Sequence, residues 1–328
     1  MFQNIQDTLQ HFKKLKVLVL GDAMIDTYIK GEVLRKSPEA PVPILSNVQS
    51  EKRLGGAANV AQNLRNFEVE TSISCIIGND DNGRLLNQML VDIEVNCSGL
   101  IVDNSRPTTN KTRFLKGTEH LLRVDEESQL EISETDENKV LESVRSLIKD
   151  LDLVIFQDYD KGVLSKSLIK EVIKLCEEHA VHIAVDPKKD HFWNYHNVSL
   201  FKPNLREVTE ALNRKIDPTS PVDLKNVHAD LQNELNYQTL LLTLSEYGVF
   251  IANKNDSILL PATERRVIDV SGAGDAVVTI ASLGTVLGLG LQEIAHLANI
   301  VGGQACEVSG VMPINPQKFI AECLQVSA

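Results

Sequence analysis

The chain has few cysteines and none of the paired spacings typical of zinc sites. Its 328 residues contain five cysteines, and no Cys-x-x-Cys pair occurs. An odd number at wide separations indicates neither a disulfide framework nor a zinc module, so we expect reduced thiols packed as small apolar groups. The eight histidines lack the His-Glu-x-x-His spacing of zinc enzymes, and we expect His191 and His196 on the surface.

Basic residues are in deficit. The chain has 33 lysines and arginines against 45 aspartates and glutamates, which gives a formal net charge of −12. A protein with this excess of negative charge is repelled by DNA, RNA and anionic membranes, so it is poorly suited to binding them through a broad surface. We therefore predict no nucleic-acid or membrane partner, and any anion must bind in a local basic pocket or at backbone amides.

Long apolar runs and the common nucleotide-binding loops are absent. The first apolar run, at 17–20, is far too short for a signal peptide or a membrane span, so we expect a cytoplasmic protein. No Gly-x-x-x-x-Gly-Lys-Ser/Thr loop occurs, and no Gly-x-Gly-x-x-Gly follows the first strand. These absences count against P-loop nucleotide hydrolases and typical dinucleotide enzymes.

The residue pattern that is present favours a layered α/β protein. With 43% hydrophobic residues in a chain of this length, a large buried core is expected. Short runs rich in Val, Ile and Leu alternate with amphipathic segments such as 137–149 and 165–179. This alternation predicts a mainly parallel sheet covered by helices on both faces. The predicted strands are 16–20, 72–77, 153–157, 182–185, 199–202, 239–244 and 249–252.

Two stretches break this alternation. Residues 28–49 contain Pro38, Pro41 and Pro43 and are typical of extended strand and turn. Residues 105–123 are rich in threonine and basic side chains and alternate like an exposed strand. Both predict a small β excursion from the main sheet, which is either a lid over an active-site cleft or a plain surface hairpin.

The strongest motif is a Gly-Ala-Gly turn, at 272–274, which leads directly into an apolar helical stretch at 276–287. Small residues let the backbone approach a ligand closely, and the free N–H groups at a helix start favour an anion. Asp275 lies at the end of this turn. It is either an N-terminal helix cap or a general base beside a bound phosphate, and the local sequence favours neither.

A second glycine cluster, with Gly55, Gly56 and Asn59, opens another helix and is a weak signal alone, since tight turns also use glycine.

Polar residues also follow several predicted strands, and each of these groups could be a simple turn or helix cap. Their recurrence at the same sheet edge predicts a site there, as in other open α/β sheets. The groups are Asp22 with Asp26, 158–162, 186–188, 202–207 and 243–248.

Together these motifs resemble the ribokinase-like (PfkB) sugar kinase family, whose two signatures match 55–64 and 269–275. The resemblance runs in order along essentially the whole chain. Further runs, at 21–26, 37–43, 121–125, 158–164 and 243–246, resemble the members that act on D-glycero-β-D-manno-heptose 7-phosphate. The family resemblance implies one kinase domain over 1–328, with a three-layer α/β/α fold, a mainly parallel central sheet and a small β lid formed by about 28–50 and 105–123.

The resemblance also implies roles for individual residues. Asp275 would be the general base, and the amides of Gly272, Ala273 and Gly274 would hold the transferred phosphoryl group. The sugar side would comprise Asp26, Gly55, Gly56 and Asn59. The nucleotide side would comprise Lys202, Asn204, Glu207, Thr243, Ser245, Gly248 and Asn299, with Glu207 in the Mg²⁺ region. Asp269 and Ser271 lie where many relatives bind a monovalent cation such as K⁺. Ser271 and Ala276 replace the Thr of many members, and activity is still expected.

The implied reaction is ATP- and Mg²⁺-dependent phosphorylation of the anomeric hydroxyl, giving the 1,7-bisphosphate on the route to ADP-heptose and lipopolysaccharide. The alternatives are a kinase for another sugar, such as fructose, ribose or a phosphorylated ketose, or a catalytically silent sugar or nucleotide sensor. A homodimer is expected by the same resemblance. Bifunctional relatives continue into a nucleotidyltransferase module, whereas this sequence ends at Ala328, so a separate nucleotidyltransferase is expected.

The phosphate already on such a sugar needs cations. Segment 105–123 holds five basic residues against Glu119 alone, a local excess of +4 in an acidic chain. Arg and Lys bind phosphate by charge-assisted hydrogen bonds, so we predict that Lys111 and Arg113, with Lys161 beyond the segment, hold the sugar phosphate. The alternative is a solvated edge strand.

Overall fold

Alternate side chains of the central strands enter two different cores. Along β1 (Lys16–Gly21), Val17 and Val19 belong to one hydrophobic cluster, whereas Leu18 and Leu20 belong to the other. Because successive residues of a strand point to opposite faces, this apolar run needs helices on both sides of the sheet. The computed structural model, which describes residues 5–327, has both helical layers.

Thirteen strands form within the described residues, in two sheets. They are β1, β2 (Ala23–Lys36), β3 (Pro43–Gly56), β4 (Glu70–Gly78), β5 (Asn96–Asp103), β6 (Asn110–Lys116), β7 (Glu119–Glu126), β8 (Leu153–Gln157), β9 (His182–Asp186), β10 (Leu200–Phe201), β11 (Thr239–Thr243), β12 (Val249–Asn253) and β13 (Ser257–Leu260). The main sheet has nine strands in the order β13-β12-β11-β10-β9-β8-β1-β4-β5. All its pairings are parallel except β11 with β12 and β12 with β13.

Ten helices accompany the sheets in the described chain. They are α1 (Ile5–Phe12), α2 (Ala57–Asn66), α3 (Asp81–Asp92), α4 (Glu134–Leu147), α5 (Lys166–His179), α6 (Leu205–Leu212), α7 (Pro221–Leu235), α8 (Ala273–Val286), α9 (Leu291–Cys306) and α10 (Pro316–Ser327). Side chains of α1–α3 and α8–α10 join one hydrophobic cluster, and those of α4–α7 join the other. The predicted three-layer α/β/α fold with a mainly parallel central sheet is confirmed.

The two proline- and threonine-rich stretches form a second sheet of four strands, in the order β3-β2-β6-β7, which we call the small sheet. The hairpins β2–β3 and β6–β7 join through the parallel pairing of β2 with β6, so they are not separate surface hairpins. Their strands extend beyond the predicted segments 28–50 and 105–123. The first hairpin starts five residues earlier, at Ala23, and ends at Gly56.

Two edge strands of the main sheet were missed, and one predicted strand is shorter than expected. β5 begins with the polar sequence Asn96-Cys97-Ser98, and β13 has four half-buried residues, so neither has the continuous apolar run of a central strand. The strand predicted at 199–202 is reduced to β10 because Pro203 cannot donate to the ladder.

The described residues also test two sequence predictions, that the cysteines are reduced and buried and that no segment spans a membrane. No disulfide forms, and Cys75, Cys176 and Cys323 are buried as predicted, whereas Cys97 and Cys306 are half-buried. Between Ile5 and Ser327, no helix combines the length and apolar character that crossing a bilayer requires.

Candidate functional site

The Asp275 carboxylate lies at the start of α8 and accepts three side-chain hydrogen bonds. The Nδ2 of Asn59 donates to Oδ2 at 2.8 Å, while the hydroxyl of Tyr159 and the Nε2 of Gln157 donate to Oδ1 at 2.7 and 3.1 Å. The helix cap is Gly272, which lies in the left-handed region with φ 80° and provides no side-chain cap. The alternative that Asp275 caps its own helix therefore does not describe this side chain.

Two separate parts of the chain supply these donors. Asn59 is on α2, Gln157 ends β8, and Tyr159 lies in the turn that follows β8. The tight entry into α2 depends on Gly56 at φ 56°, where an added Cβ would lie 2.4 Å from the carbonyl oxygen of Asp22. The second glycine cluster thus holds Asn59 against Asp275, 216 positions later in the chain.

Burial determines the electrostatics of this carboxylate. Removal from water raises the pKa of Asp275 to about 7, against the lowering effect of the hydrogen bonds from Asn59 and Tyr159. The nearby carboxylates of Asp186 and Asp26 raise it further. Asp275 therefore changes protonation near neutral pH, which is the range in which a general base is most effective.

A buried lysine lies beside the Gly-Ala-Gly turn. The Nζ of Lys202 is 3.0 Å from Oδ1 of Asp186, and its side chain is only 2% exposed. An added Cβ on Gly274 would lie 3.6 Å from that Nζ. The N–H of Ala273 donates to the Val270 carbonyl at 3.3 Å, whereas those of Gly272 and Gly274 have no partner among the described residues. Free amides beside an ammonium group suit an anion.

Two further buried atoms next to Asp275 are unpartnered. Within the described chain, Oδ1 of Asn59 and Oε1 of Gln157 have no hydrogen-bond donor. Buried polar atoms are normally satisfied, so these two acceptors suit the hydroxyl groups of a ligand.

The small sheet contributes Asp26, and its predicted phosphate-binding cations already have carboxylate partners. Arg113 pairs with Asp26, next to Gly55, where an added Cβ would lie 2.2 Å from the Asp26 carboxylate. Lys111 binds Glu127 at 2.7 Å, and Lys161 binds the same carboxylate at 2.8 Å. The local excess of +4 is therefore reduced by acids outside segment 105–123.

The predicted nucleotide-side residues form a connected group at the same sheet edge. Asn204 and Glu207 make a capping box at the start of α6, and Asn204 forms a parallel bridge with Thr243. Ser245 and Gly248 continue this edge, where a Cβ on Gly248, at φ 95°, would lie 2.1 Å from the Leu260 carbonyl oxygen.

Asn299 joins this group from α9. Its Nδ2 donates to the carbonyl oxygen of Pro261 at 2.8 Å, and Pro261 also lies within contact of Gly248.

Asp269 and Ser271 lie together before the glycine turn. Oδ1 of Asp269 accepts from the N–H and hydroxyl of Ser271 at 3.0 and 2.8 Å, and Oδ2 accepts from the N–H of Gly310 at 2.8 Å. Burial opposes ionisation, but these hydrogen bonds prevail and lower the pKa of Asp269. The group stays ionised at neutral pH, as a cation ligand must.

A metal would depend on the nucleotide here. Among residues 5–327, no group of three or more His, Cys, Asp or Glu side chains could hold an ion. Mg²⁺ in phosphate-transfer sites is usually bound by one or two carboxylates together with substrate phosphates, so Glu207 fits such a role. Its Oε2 accepts from the N–H of Asn204 at 2.9 Å, and its Oε1 pairs with Lys188.

Comparison with known proteins identifies the family. The model of the pfkB family of carbohydrate kinases matches residues 14–318. This chain belongs to that family. The predicted family and carbohydrate kinase activity are thereby confirmed.

Several curated relatives to which this chain is similar are named bifunctional protein HldE. This chain is 34% identical over 317 residues to the HldE protein of Syntrophotalea carbinolica, and the match covers 96% of this chain and 64% of the relative. It is 38% identical over 290 residues to the HldE protein of a Nitratiruptor species, and that match covers 88% of this chain and 61% of the relative. The chain thus spans less than two thirds of the length of these relatives.

Solved structures show the same fold at low sequence identity. Phosphofructokinase-2 from Escherichia coli in complex with fructose-6-phosphate matches with a TM-score of 0.79 at 16% identity, over 96% of this kinase and 100% of that chain. The same enzyme in complex with potassium matches with a TM-score of 0.78 at 15% identity, over the same shares. These likenesses concern the fold alone.

Sequence reasoning left out three residues of this kinase that meet at the site. Gln157 and Tyr159 bind Asp275, and Lys188 pairs with Glu207. The groups 158–162 and 186–188 were predicted to lie at strand ends, and within them only Lys161 had an assigned role. Gln157 had one local signal, since it is the only polar side chain of the fully buried β8.

Asp275→Ala should make stability less dependent on pH. In the unfolded chain this carboxyl ionises near 3.8, but in the folded kinase it does so only near 7. As pH rises between these values the wild type loses stability, because only the unfolded state releases the proton. The free energy of unfolding of the variant relative to the wild type should therefore rise by roughly 2–3 kcal/mol from about pH 5 to about pH 8, measured by urea unfolding.

Asp269→Ala is the matched control, since the pKa of Asp269 is lowered and its stabilising effect is lost as pH falls. Its difference from the wild type should stay nearly constant from about pH 5 to about pH 8. It should change only as pH falls below about 4, where the ionised Asp269 of the wild type stops contributing stability. Two variants with the same pH trend would contradict this electrostatic description.

Proposed function

We propose that this kinase transfers the γ-phosphoryl group of ATP to the anomeric hydroxyl of D-glycero-β-D-manno-heptose 7-phosphate, giving the 1,7-bisphosphate in the cytoplasm. The observation that carries the proposal is the buried Asp275 carboxylate beside a glycine turn with free amides and the Lys202 ammonium group. A base and an anion site at adjoining positions are what phosphoryl transfer to a hydroxyl requires. The similarity to the HldE proteins favours the heptose substrate.

In this mechanism Asp275 accepts the proton of the anomeric hydroxyl. The freed oxygen attacks the γ-phosphorus, the new P–O bond forms, and the bond to the β,γ-bridging oxygen breaks to release ADP. The amides of Gly272 and Gly274 and the ammonium group of Lys202 stabilise the charge on the transferred group. Because the base must be ionised, the rate should fall as pH drops through about 7, the pKa of Asp275.

Mg²⁺, when bound with ATP, would neutralise phosphate charge near Glu207. The nucleotide would extend along Asn204, Thr243, Ser245, Gly248 and Asn299. K⁺ at Asp269 and Ser271 belongs to the same proposal, supported by the ionised Asp269 carboxylate.

The 7-phosphate would bind at the small sheet, which would act as a lid. Asp26, Gly55, Gly56 and Asn59 would face sugar hydroxyls, and Arg113, Lys111 and Lys161 would face the phosphate. Each of these cations now has a carboxylate partner, so the phosphate must share or replace it. Guanidinium and ammonium groups can hold more than one oxygen partner at once.

The proposal assigns the kinase step only. A homodimer and a separate nucleotidyltransferase remain predictions, and the word bifunctional in the relatives' name applies to chains of which this kinase matches less than two thirds.

A panel of acceptors tests the substrate. ADP release should be measured with heptose 7-phosphate, the unphosphorylated heptose, fructose, ribose and fructose 6-phosphate. We expect kcat/KM for heptose 7-phosphate to exceed that of the unphosphorylated sugars by ~100-fold or more, since a sugar without the phosphate makes no charge-assisted hydrogen bonds to these cations. Equal turnover of unphosphorylated sugars would contradict the heptose phosphate, and binding without turnover of any acceptor would favour the silent sensor.

Asp275→Asn should lower kcat by ~10²–10⁴ and leave both KM values within a few-fold, because an amide of the same shape cannot accept the proton. Fixed-time assays of bisphosphate formation measure this decrease in kcat. Wild-type turnover in this variant would mean that another group takes the proton.

Arg113→Ala should raise KM for the sugar phosphate by ~10-fold or more while KM for ATP changes less than about twofold. Arg123→Ala is the matched control, since Arg123 lies opposite Arg113 on the neighbouring strand with a side chain 58% exposed. An effect on ATP alone would reassign Arg113 to the nucleotide.

A further inference from the structure

We propose that Tyr159 is a positioning residue, whose hydroxyl holds the Asp275 carboxylate in place and whose ring is in turn held by Lys188. This inference rests on the proposed role of Asp275 as the base. It adds two residues to the sites that the sequence motifs predicted, and neither residue had an assigned role there.

The backbone around Tyr159 is fixed by a buried carboxylate. Oδ2 of Asp22 accepts from the N–H groups of Tyr159 and Lys161 at 2.8 and 3.1 Å, and Oδ1 accepts from that of Val163 at 3.3 Å. Asp22 itself is 2% exposed. The turn after β8 is therefore wrapped around the Asp22 side chain. This turn conformation directs the Tyr159 hydroxyl toward Asp275.

The ring of Tyr159 has neighbours from both groups of predicted site residues. An added Cβ on Gly56 would be 3.4 Å from its Cε2 atom, so the ring packs close to the backbone of the sugar-side glycines. The Nζ of Lys188 lies 5.3 Å from the ring centroid, within cation–π range.

Lys188 connects this ring to the nucleotide side. Its ammonium group also pairs with Oε1 of Glu207, whose other oxygen completes the capping box with Asn204. A continuous series of contacts therefore runs from Asp275 through Tyr159 and Lys188 to Glu207. A change of partner at Glu207 can reach the base through this series.

A hydroxyl at this position changes the chemistry of the base. Oδ1 of Asp275 has two donors, and without the Tyr159 hydroxyl it would keep only Gln157. Hydrogen bonds to a carboxylate favour its ionised form, so their loss raises the pKa. A ring that only filled space would leave the titration of Asp275 unchanged.

The other charged groups around Asp275 stay in place when Tyr159 becomes Phe. Asp26 faces it from β2, Asp186 from the end of β9, and Lys202 lies beside the same turn after β10. Of the groups facing the Tyr159 ring, Lys188 is the cation. The Tyr159→Phe variant therefore isolates one hydrogen bond.

The test compares Tyr159→Phe with Tyr195→Phe in the full-length chain. Tyr195 is a matched control, because its buried hydroxyl donates to Oδ2 of Asp158 at 2.7 Å at the same sheet edge without contacting Asp275. The titration of Asp275 is followed by NMR of ¹³C-labelled aspartate without substrates, with Asp275→Asn identifying the signal. The pH profile of kcat/KM is measured in parallel.

We expect Tyr159→Phe to raise the pKa of Asp275 by about one to two units, and to move the acid limb of kcat/KM by the same amount. Activity at pH 7 should fall by ~5- to 50-fold and recover at higher pH. Tyr195→Phe should leave the titration and the acid limb unchanged. An unshifted titration in Tyr159→Phe, or an equal shift in Tyr195→Phe, would overturn the proposal.

Lys188→Met tests the second half. It should shift the Asp275 titration in the wild-type background and have no further effect in Tyr159→Phe, because the ring can no longer transmit its position to the carboxylate. Equal shifts in both backgrounds would overturn the role of Lys188. The titration of Asp275 needs no sugar acceptor, so it tests the role of Tyr159 whatever the substrate is. A wrong heptose assignment would appear only in the acceptor panel, and the two failures are therefore distinguishable.

Discussion

The site depends on one buried carboxylate that has no directly bound cation. Asp275 is 2% exposed, and its three donors, Asn59, Gln157 and Tyr159, are all neutral. A salt bridge would lower the pKa of an aspartate, whereas burial with neutral donors leaves it near 7. Because the donors come from α2, β8 and the following turn, the packing of both glycine clusters is needed to assemble this one base.

The remaining charges of the site are arranged in pairs around it. Lys202 is paired with Asp186, Arg113 with Asp26, and Lys188 with Glu207. A chain of net charge −12 thus keeps buried cations stable by giving each a carboxylate, because an unpaired buried charge is costly. Two anionic substrates would enter by sharing these cations. The cations of the candidate site are therefore already neutralised by carboxylates.

Sequence reasoning predicted what local pattern determines. The apolar run at 17–20 predicted a sheet covered on both faces, and strand-end polar groups predicted the edge at which the site lies, since parallel strands bring their carboxyl ends together. The edge strands β5 and β13 were missed because one of their faces does not need apolar residues. The contacts of Gln157 and Tyr159 with Asp275 join positions 118 and 116 apart, a distance at which local pattern carries no information. Likewise, the excess charge at 105–123 could not show its partners on other strands.

The central claim is that Asp275 takes the proton of a sugar hydroxyl facing the glycine turn. A crystal structure with heptose 7-phosphate and a non-hydrolysable ATP analogue tests this most directly. We expect the anomeric oxygen at about 2.6–3.2 Å from the Asp275 carboxylate, with the γ-phosphate of the analogue at the amides of Gly272 and Gly274. A sugar bound with its anomeric oxygen away from Asp275, or a γ-phosphate held elsewhere, would contradict it.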